Sequence, residues 1–361
     1  MLKTNISCWM ILADKRFQSP SWIKRGICWS VFLVFICNGC KDSQPEKFDF
    51  QQIGTTMGTT FSVKIPVLPD KVDRKDLKEG IAQILDGINR KMSTYLSDSE
   101  LSRFNQNQSV DWISVSPEML EVVVEAQQIS HLSNGAYDIT IGPLVNLWGF
   151  GPSDTGQKVP DALSIDELLQ QTGSKFLEFR REPHALRKKM ASLYLDLSSL
   201  AKGYAVDRVA AYLESLGIKD FLVEIGGELK ANGRKQDGQF WRVAVEKPDP
   251  AQRSIGQVLE LNNIAVATSG DYRNFFDQDG QRYSHTIDPR TGKPITHRLA
   301  SVTVLSNTTM RADGLATAFM VLGHEAGMRM AERERIPVLF IIQTDQGFSK
   351  IQSSQFPSDT K

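Results

Sequence analysis

Beyond Cys40 the chain contains no cysteine, so nothing downstream can form a disulfide or a thiolate zinc site. Charge of one sign is not in excess either: 42 Lys and Arg stand against 42 Asp and Glu. That balance speaks against nucleic acid or a membrane surface recognised by bulk positive charge, so any polyanion must be held locally. Neither a Gly-x-x-x-x-Gly-Lys-Ser/Thr phosphate loop nor a Gly-x-Ser-x-Gly elbow occurs, and with them go two common catalytic designs. No stretch repeats at a fixed period, which argues against solenoids and propellers. What remains, at 361 residues, is room for one large or two medium domains with a substantial core.

The four cysteines, Cys8, Cys28, Cys37 and Cys40, all belong to the first forty residues. Lys24 and Arg25 precede an apolar run over residues 26–36, which suits a signal-peptide core and is short for a membrane span. Ile36-Cys-Asn-Gly-Cys40 then resembles a bacterial lipobox, with Cys37 where leucine is usual. The expectation is that residues 1–40 form a signal peptide with lipobox and that Cys40 is lipidated. The protein is then a membrane-anchored lipoprotein of the bacterial cell envelope, facing the periplasm. A retained signal anchor is the alternative, and the long leader suggests that translation starts later than Met1. Residues 41–50 read as a tether, 51–350 as the folded domain and 351–361 as a polar tail.

Within the domain, Ile53 opens a strand interrupted at Met57-Gly58-Thr59. Leu77, Ile81, Ile84, Leu85, Ile88 and Met92 share a helical face that ends near Ser93. Ser97-Asp-Ser-Glu starts a second helix, Ser116-Pro117 caps a third that Asn134-Gly135 stops, and Ser164-Ile-Asp-Glu167 is a capping box. Strand-like runs cover residues 221–225, 241–245, 258–261 and 264–267. Strands and helices alternate without a β-α-β rhythm, which predicts an α+β fold of mixed strands and helices.

The stretch that organises the chain is Asp196-Leu-Ser-Ser-Leu-Ala-Lys-Gly-Tyr-Ala-Val-Asp207. Leu193-Tyr-Leu-Asp-Leu197 alternates like a half-buried strand, while Val206, Val209, Ala210 and Leu213 recur at helical spacing. A strand feeding a helix N-terminus presents unpaired N–H groups and the positive end of a dipole, a usable phosphate site. The plainer alternative is that Ser198 or Ser199 only caps the helix. Asp313 and Thr317 stand four apart in a helical stretch, so their oxygens share a face and suit one hard cation, Mg2+ before zinc. A capping role for Asp313 is the competing reading. His285, in a Ser-His-Thr-Ile-Asp-Pro loop, is placed as a general base, or else as a surface histidine. Glu224-Ile-Gly-Gly-Glu228 reads as a structural turn with buried carboxylates or as part of a site.

Seven motifs then stand in a telling order: Met57-Gly-Thr, Lys91-Met-Ser-Thr-Tyr95, Ala136-Tyr-Asp138, Asp196 to Tyr204, Glu224 to Glu228, His285-Thr-Ile-Asp-Pro289 and Ala312-Asp-Gly-Leu-Ala-Thr317. In this the sequence resembles the ApbE family of flavin transferases. The resemblance implies an ApbE-like, T-fold-like architecture in two closely packed subdomains. It also implies a Mg2+-dependent enzyme that takes FAD, releases AMP and attaches FMN to a threonine hydroxyl of an acceptor flavoprotein. Acceptors in the family include membrane redox-pump subunits and extracytoplasmic reductases. Flavin contacts carry over to Met57, Tyr95, Ala136, Tyr137, Asp138, Ser198, Tyr204 and Ile287, and Lys202 joins them as a charge near the pyrophosphate. Metal ligands carry over to the Ala201 carbonyl, Asp313 and Thr317; Ala316 stands where some members are acidic. His285 and Asp313 are the catalytic pair. If the Ala201 carbonyl binds metal, the helix should begin at residues 202–204, with Gly203 letting backbone approach the pyrophosphate. A FAD-hydrolysing or FAD-binding lipoprotein and a non-catalytic envelope protein are the other two readings.

Overall fold

Residues 50–65 fold into a hairpin because their apolar members alternate on either side of a two-residue turn. Strands β1 (Phe50–Thr56) and β2 (Thr59–Ile65) pair antiparallel through Met57 and Gly58, at φ 50° and 72°. Two positive φ values in succession match the right-handed twist of the strands they join. The expected interrupted strand is thus two strands. The computed structural model describes residues 48–152, 156–248, 255–271 and 274–357; the leader, Cys40 and most of the tether lie outside the described residues.

Six further strands complete the main sheet: β3 (Phe221–Ile225), β4 (Glu228–Asn232), β5 (Ile264–Gly270), β6 (Leu299–Ser306), β7 (Val338–Thr344) and β8 (Gly347–Gln352). Neighbours in the sheet follow chain order, and every pair is antiparallel. Such a sheet with helices set into its connections is α+β, as expected. Side chains alternate between two cores. On β7, Val338 and Phe340 join the core under the helices, while Leu339 and Ile341 join a second one under a ribbon formed by Trp241–Glu246 and Ile255–Leu261. Lys47–Lys361 form one compact unit.

Between β2 and β3 lie α1 (Arg74–Met92), α2 (Glu100–Gln106), α3 (Pro117–Leu132), α4 (Gly142–Leu147), α5 (Ala162–Gln170) and α6 (Ser198–Ser215). Between β6 and β7 lies α7 (Thr309–Glu334). Helices α6 and α7 pack on each other and on the sheet. Glycine permits this closeness: a Cβ on Gly203 would stand 2.5 Å from the Thr309 carbonyl oxygen. The junction is also hydrogen-bonded, since Asp207 of α6 accepts from the Thr309 and Met310 amides at 2.9 Å each. An aspartate of one helix thereby caps the next, where Thr308 makes no side-chain cap.

Four sequence expectations need correction. Helix α6 begins at Ser198, not at residues 202–204, because the Leu197 carbonyl accepts from Ala201 and the Asp196 carboxylate from the Ser198 amide. Gly203 serves the approach of α7, as its neighbours show. Leu193, Leu195 and Leu197 are fully buried as alternation required, yet the segment joins no ladder. The Asn105 side chain instead bonds both the amide and the carbonyl of Leu195 at 2.8 Å, standing in for a neighbouring strand. Helix α5 is capped by Asp161 and not by a box at Ser164, whereas α2 starts within the expected stretch, capped by Ser99. Phe48 also stacks on Trp241, and Phe356 is buried in the second core.

Candidate functional site

A cavity of about 430 Å³ opens where α6, α7, the start of α4 and the loop after residue 284 meet. Its walls include Tyr95, Ala136, Tyr137, Asp138, Ser198, Lys202, His285, Ile287, Asp313 and Thr317. Most residues expected at the site are therefore brought together. Three are not: Met57 sits in the β1–β2 turn against the main core, Tyr204 is buried with its hydroxyl donating to Glu121 at 3.2 Å, and Ala201 lies inside α6. None of these three lines the cavity. With α6 starting at Ser198, the helix start does not free the Ala201 carbonyl for a metal.

At the polar end, Asp313 and Thr317 stand one turn apart on α7. Asp313 is 3 % exposed, well inside its helix, and so is no cap. Its Oδ2 accepts from the Gly203 amide at 3.1 Å, and its Oδ1 lies 3.6 Å from the Lys202 ammonium. The same ammonium lies 3.0 Å from Glu228 Oε1. Glu228 Oε2 is buried and finds no hydrogen-bond partner among the described residues. Glu224 and Glu228, close in sequence, take separate roles. Glu224 closes the turn by accepting from Gly227 at 2.8 Å, and Glu228 faces the site.

Two acidic side chains share one ammonium here, so the pocket can take up further positive charge, as a proton on a carboxyl or as a cation. Burial pushes the Glu228 carboxyl up to about 8, the Lys202 ammonium opposing it and Asp313 adding to it. Burial likewise raises Asp313, against the pull of Lys202 and the Gly203 amide. For Lys202 burial acts downward, but the Asp313 and Glu228 carboxylates outweigh it and hold the ammonium charged. A site of this kind favours an additional cation. Among the described residues no three His, Cys, Asp or Glu side chains converge, so a cation there would take few carboxylates and complete its shell with hydroxyl and water. Magnesium accepts such a set.

On the facing wall, His285 Nδ1 lies 2.9 Å from the Asn274 carbonyl oxygen. That carbonyl can only accept, so the neutral ring carries its proton on Nδ1 and leaves the Nε2 lone pair free. Burial lowers the imidazole's affinity for a proton, with Asp271 and the Asn274 carbonyl opposing. Asp271 lies 3.9 Å from Nδ1 and accepts from the Ser284 hydroxyl. A neutral imidazole with a free nitrogen can take a proton.

The third wall is apolar. Ile141, Val145, Phe150 and Ile287 line it, backed by a cluster in which Trp148, Tyr283, Phe276 and Phe150 pack ring against ring, Tyr283 and Phe276 stacked and the outer pairs tilted. Tyr137 donates or accepts at 2.8 Å with Ser199, and Tyr95 is 73 % exposed at the rim. Asp138 is spent on structure: its oxygens accept from the Thr140 amide and hydroxyl and from the Ser174 amide, all within 2.8 Å. The aromatic lobe went unread in the sequence, although the density of aromatics and glycine over residues 136–151 was its signal.

An antiparallel sheet carrying a half-apolar, half-ionic cavity with a poised imidazole defines an α+β enzyme. Comparison with known proteins specifies it further. The ApbE family model matches residues 57–340, and this chain belongs to the ApbE family. It is 50% identical over 303 residues to a FAD:protein FMN transferase of Vibrio cholerae, covering 84% of this chain and 90% of that protein. With the enzyme of the same description from Escherichia coli K12 it shares 40% identity over 327 residues, 89% of this chain and 93% of that one. Among solved structures, the flavin transferase ApbE from Vibrio cholerae superposes with a TM-score of 0.80 at 48% identity, covering 85% of this chain and 97% of that chain. The Thermotoga maritima ApbE protein gives 0.75 at 28% identity, covering 84% and 97%.

Proposed function

We propose that this enzyme is a FAD:protein FMN transferase that moves the FMN half of FAD onto a threonine hydroxyl of an acceptor flavoprotein and releases AMP. The observation that carries the reading is the placing of a neutral, half-buried His285 and a buried Asp313 on walls of one cavity whose third wall is apolar. Isoalloxazine is flat and largely apolar, and the Ile141, Val145, Phe150 and Ile287 wall suits it, with Tyr95 at the rim. The pyrophosphate then lies toward Ser198, Ser199 and the N-terminus of α6, where helix amides favour an anion. Asp313 and Thr317 would hold Mg2+, whose charge offsets that of the phosphate oxygens.

In the transfer, His285 Nε2 takes the proton of the incoming hydroxyl, and the oxygen bonds to the phosphorus of the FMN half. The bond from that phosphorus to the bridging oxygen breaks, and AMP leaves with the bridging oxygen. The protein supplies position and electrostatics and forms no covalent bond of its own. The anchor expected at Cys40 would keep the enzyme on a membrane facing the periplasm, beside extracytoplasmic acceptors. Mass spectrometry of a flavoprotein acceptor after incubation with FAD and Mg2+ tests the reading. The expected product carries FMN on one threonine and is lost when that threonine is valine; an unmodified acceptor overturns the proposal.

A further inference from the structure

Lys202 is the least explained charge in the cavity. A lysine that served the pyrophosphate alone would be expected to have its ammonium free toward the anion. Here it is pinned between two carboxylates, 3.0 Å from Glu228 Oε1 and 3.6 Å from Asp313 Oδ1. Its stem is confined too, since the Gly226 position that turns β3 into β4 comes so near that a Cβ there would lie 3.3 Å from Lys202 Cδ. Glu228, 4 % exposed, keeps its second oxygen buried and unpartnered among the described residues. A buried carboxylate oxygen without a partner is costly, and it marks a position at which another donor or cation can be received.

We propose that Lys202 is a tethered counter-cation that occupies the cation position beside Asp313 when no divalent ion is there. On this account Glu228 is the second berth that draws the ammonium away as the ion enters. An ammonium has three donors. One already points to Glu228 Oε1, so a small rotation of the side chain that also engages Oε2 satisfies the orphaned oxygen and releases Asp313 Oδ1. The pair thus sets how tightly the site holds a divalent cation. It also neutralises Asp313 in the ion-free protein, because without Lys202 that buried carboxylate would have, among the described residues, the Gly203 amide as its one hydrogen-bond donor. The proposal rests on the reading of Asp313 as a metal ligand and adds residues to which no role in binding the ion has been given.

The account makes the two substitutions act in opposite directions. Removing the competitor in Lys202→Gln or Lys202→Met should tighten divalent binding, and removing its alternative berth in Glu228→Gln should weaken it. For one unit charge moved at about 4 Å in a partly buried site the expected change is roughly tenfold or more in each direction. The Lys202→Gln/Glu228→Gln double variant should bind the ion far more like Lys202→Gln than like Glu228→Gln, since without the competitor the berth has nothing to draw away. A merely structural pair would instead lower affinity and melting temperature together in both single variants.

Mn2+ titrated into FAD-free protein, with free ion followed by electron paramagnetic resonance and Mg2+ added as competitor, measures this without any turnover. Tighter binding for Lys202→Gln with weaker binding for Glu228→Gln supports the proposal. Weaker or unchanged binding in the Lys202 variants overturns it while leaving Asp313 as a ligand. Wild-type protein that binds no Mn2+ that Mg2+ can displace overturns the metal reading itself, and the proposal with it. Should Lys202→Met fail to fold, Lys202→Gln, which keeps a hydrogen-bond donor, carries the same test.

Discussion

Replacing Gly203 by alanine perturbs the place where α6 meets α7 and thereby the distance between Lys202 and Asp313. The new Cβ would stand 2.5 Å from the Thr309 carbonyl oxygen and 2.7 Å from Met310 Cα, all backbone atoms that no rotamer change can clear. The helices must part by at least half an ångström. Parting them stretches the 3.1 Å bond from the Gly203 amide to Asp313 and the two 2.9 Å caps from Asp207. Overpacking costs about 1–3 kcal/mol and weakening a hydrogen bond to a buried charge about 1.5–3, while alanine returns roughly 1 through helix propensity. A net loss of about 1.5–5 kcal/mol follows, on the order of 2–8 °C in melting temperature for a chain of this size. Thermal unfolding by circular dichroism reads the stability, and Mn2+ titration reads the site. A variant as stable as wild type, with unchanged Mn2+ affinity, would refute the view that this contact holds the two helices in register.

Asp313→Ala should abolish Mg2+-dependent turnover and Thr317→Val should weaken it less, because only the aspartate carries formal charge; full activity of the Asp313 variant at low Mg2+ would remove it from the site. His285→Asn should retain FAD binding while transfer falls by about two orders of magnitude or more; loss of FAD affinity instead would make His285 a binding residue. The same histidine sets the acid limb of the rate. The base works only when neutral, and burial lowers its proton affinity, so activity should persist below the ordinary imidazole value of about 6.5 and fail only at lower pH. Lys188 is buried and donates to the Asn105, Asn107 and Ala191 carbonyls, so Lys188→Met should cost about 2–4 kcal/mol by stranding them, read by denaturant unfolding.

Helices were legible where spacing and caps agreed. The face from Leu77 to Met92 became α1, and the Ser116 cap took the Met119 amide as read. Extended segments were legible by burial but not by partner. Residues 193–197 alternate as a strand does, but Asn105, some ninety positions earlier, supplies the hydrogen bonds. No local signal announces such a substitution. The site followed the same division. Chemistry-bearing types at helical spacing, Asp313 and Thr317, were readable from the sequence. The assignment of Glu228 to the cavity and Glu224 to the turn depends on how β3 and β4 meet Lys202. Gly203 misled for a related reason: a glycine in a helix signals a close neighbour, and sequence cannot say whether that neighbour is a phosphate or another helix.

Parallel counting of AMP released and flavin bound to protein, with and without an acceptor, tests the central claim most directly. Transfer predicts one AMP for each covalent FMN, little AMP when the acceptor is absent, and the loss of both products in His285→Asn. AMP released at the same rate without an acceptor, and no flavin fixed to protein, would contradict it and make water the nucleophile at this cavity.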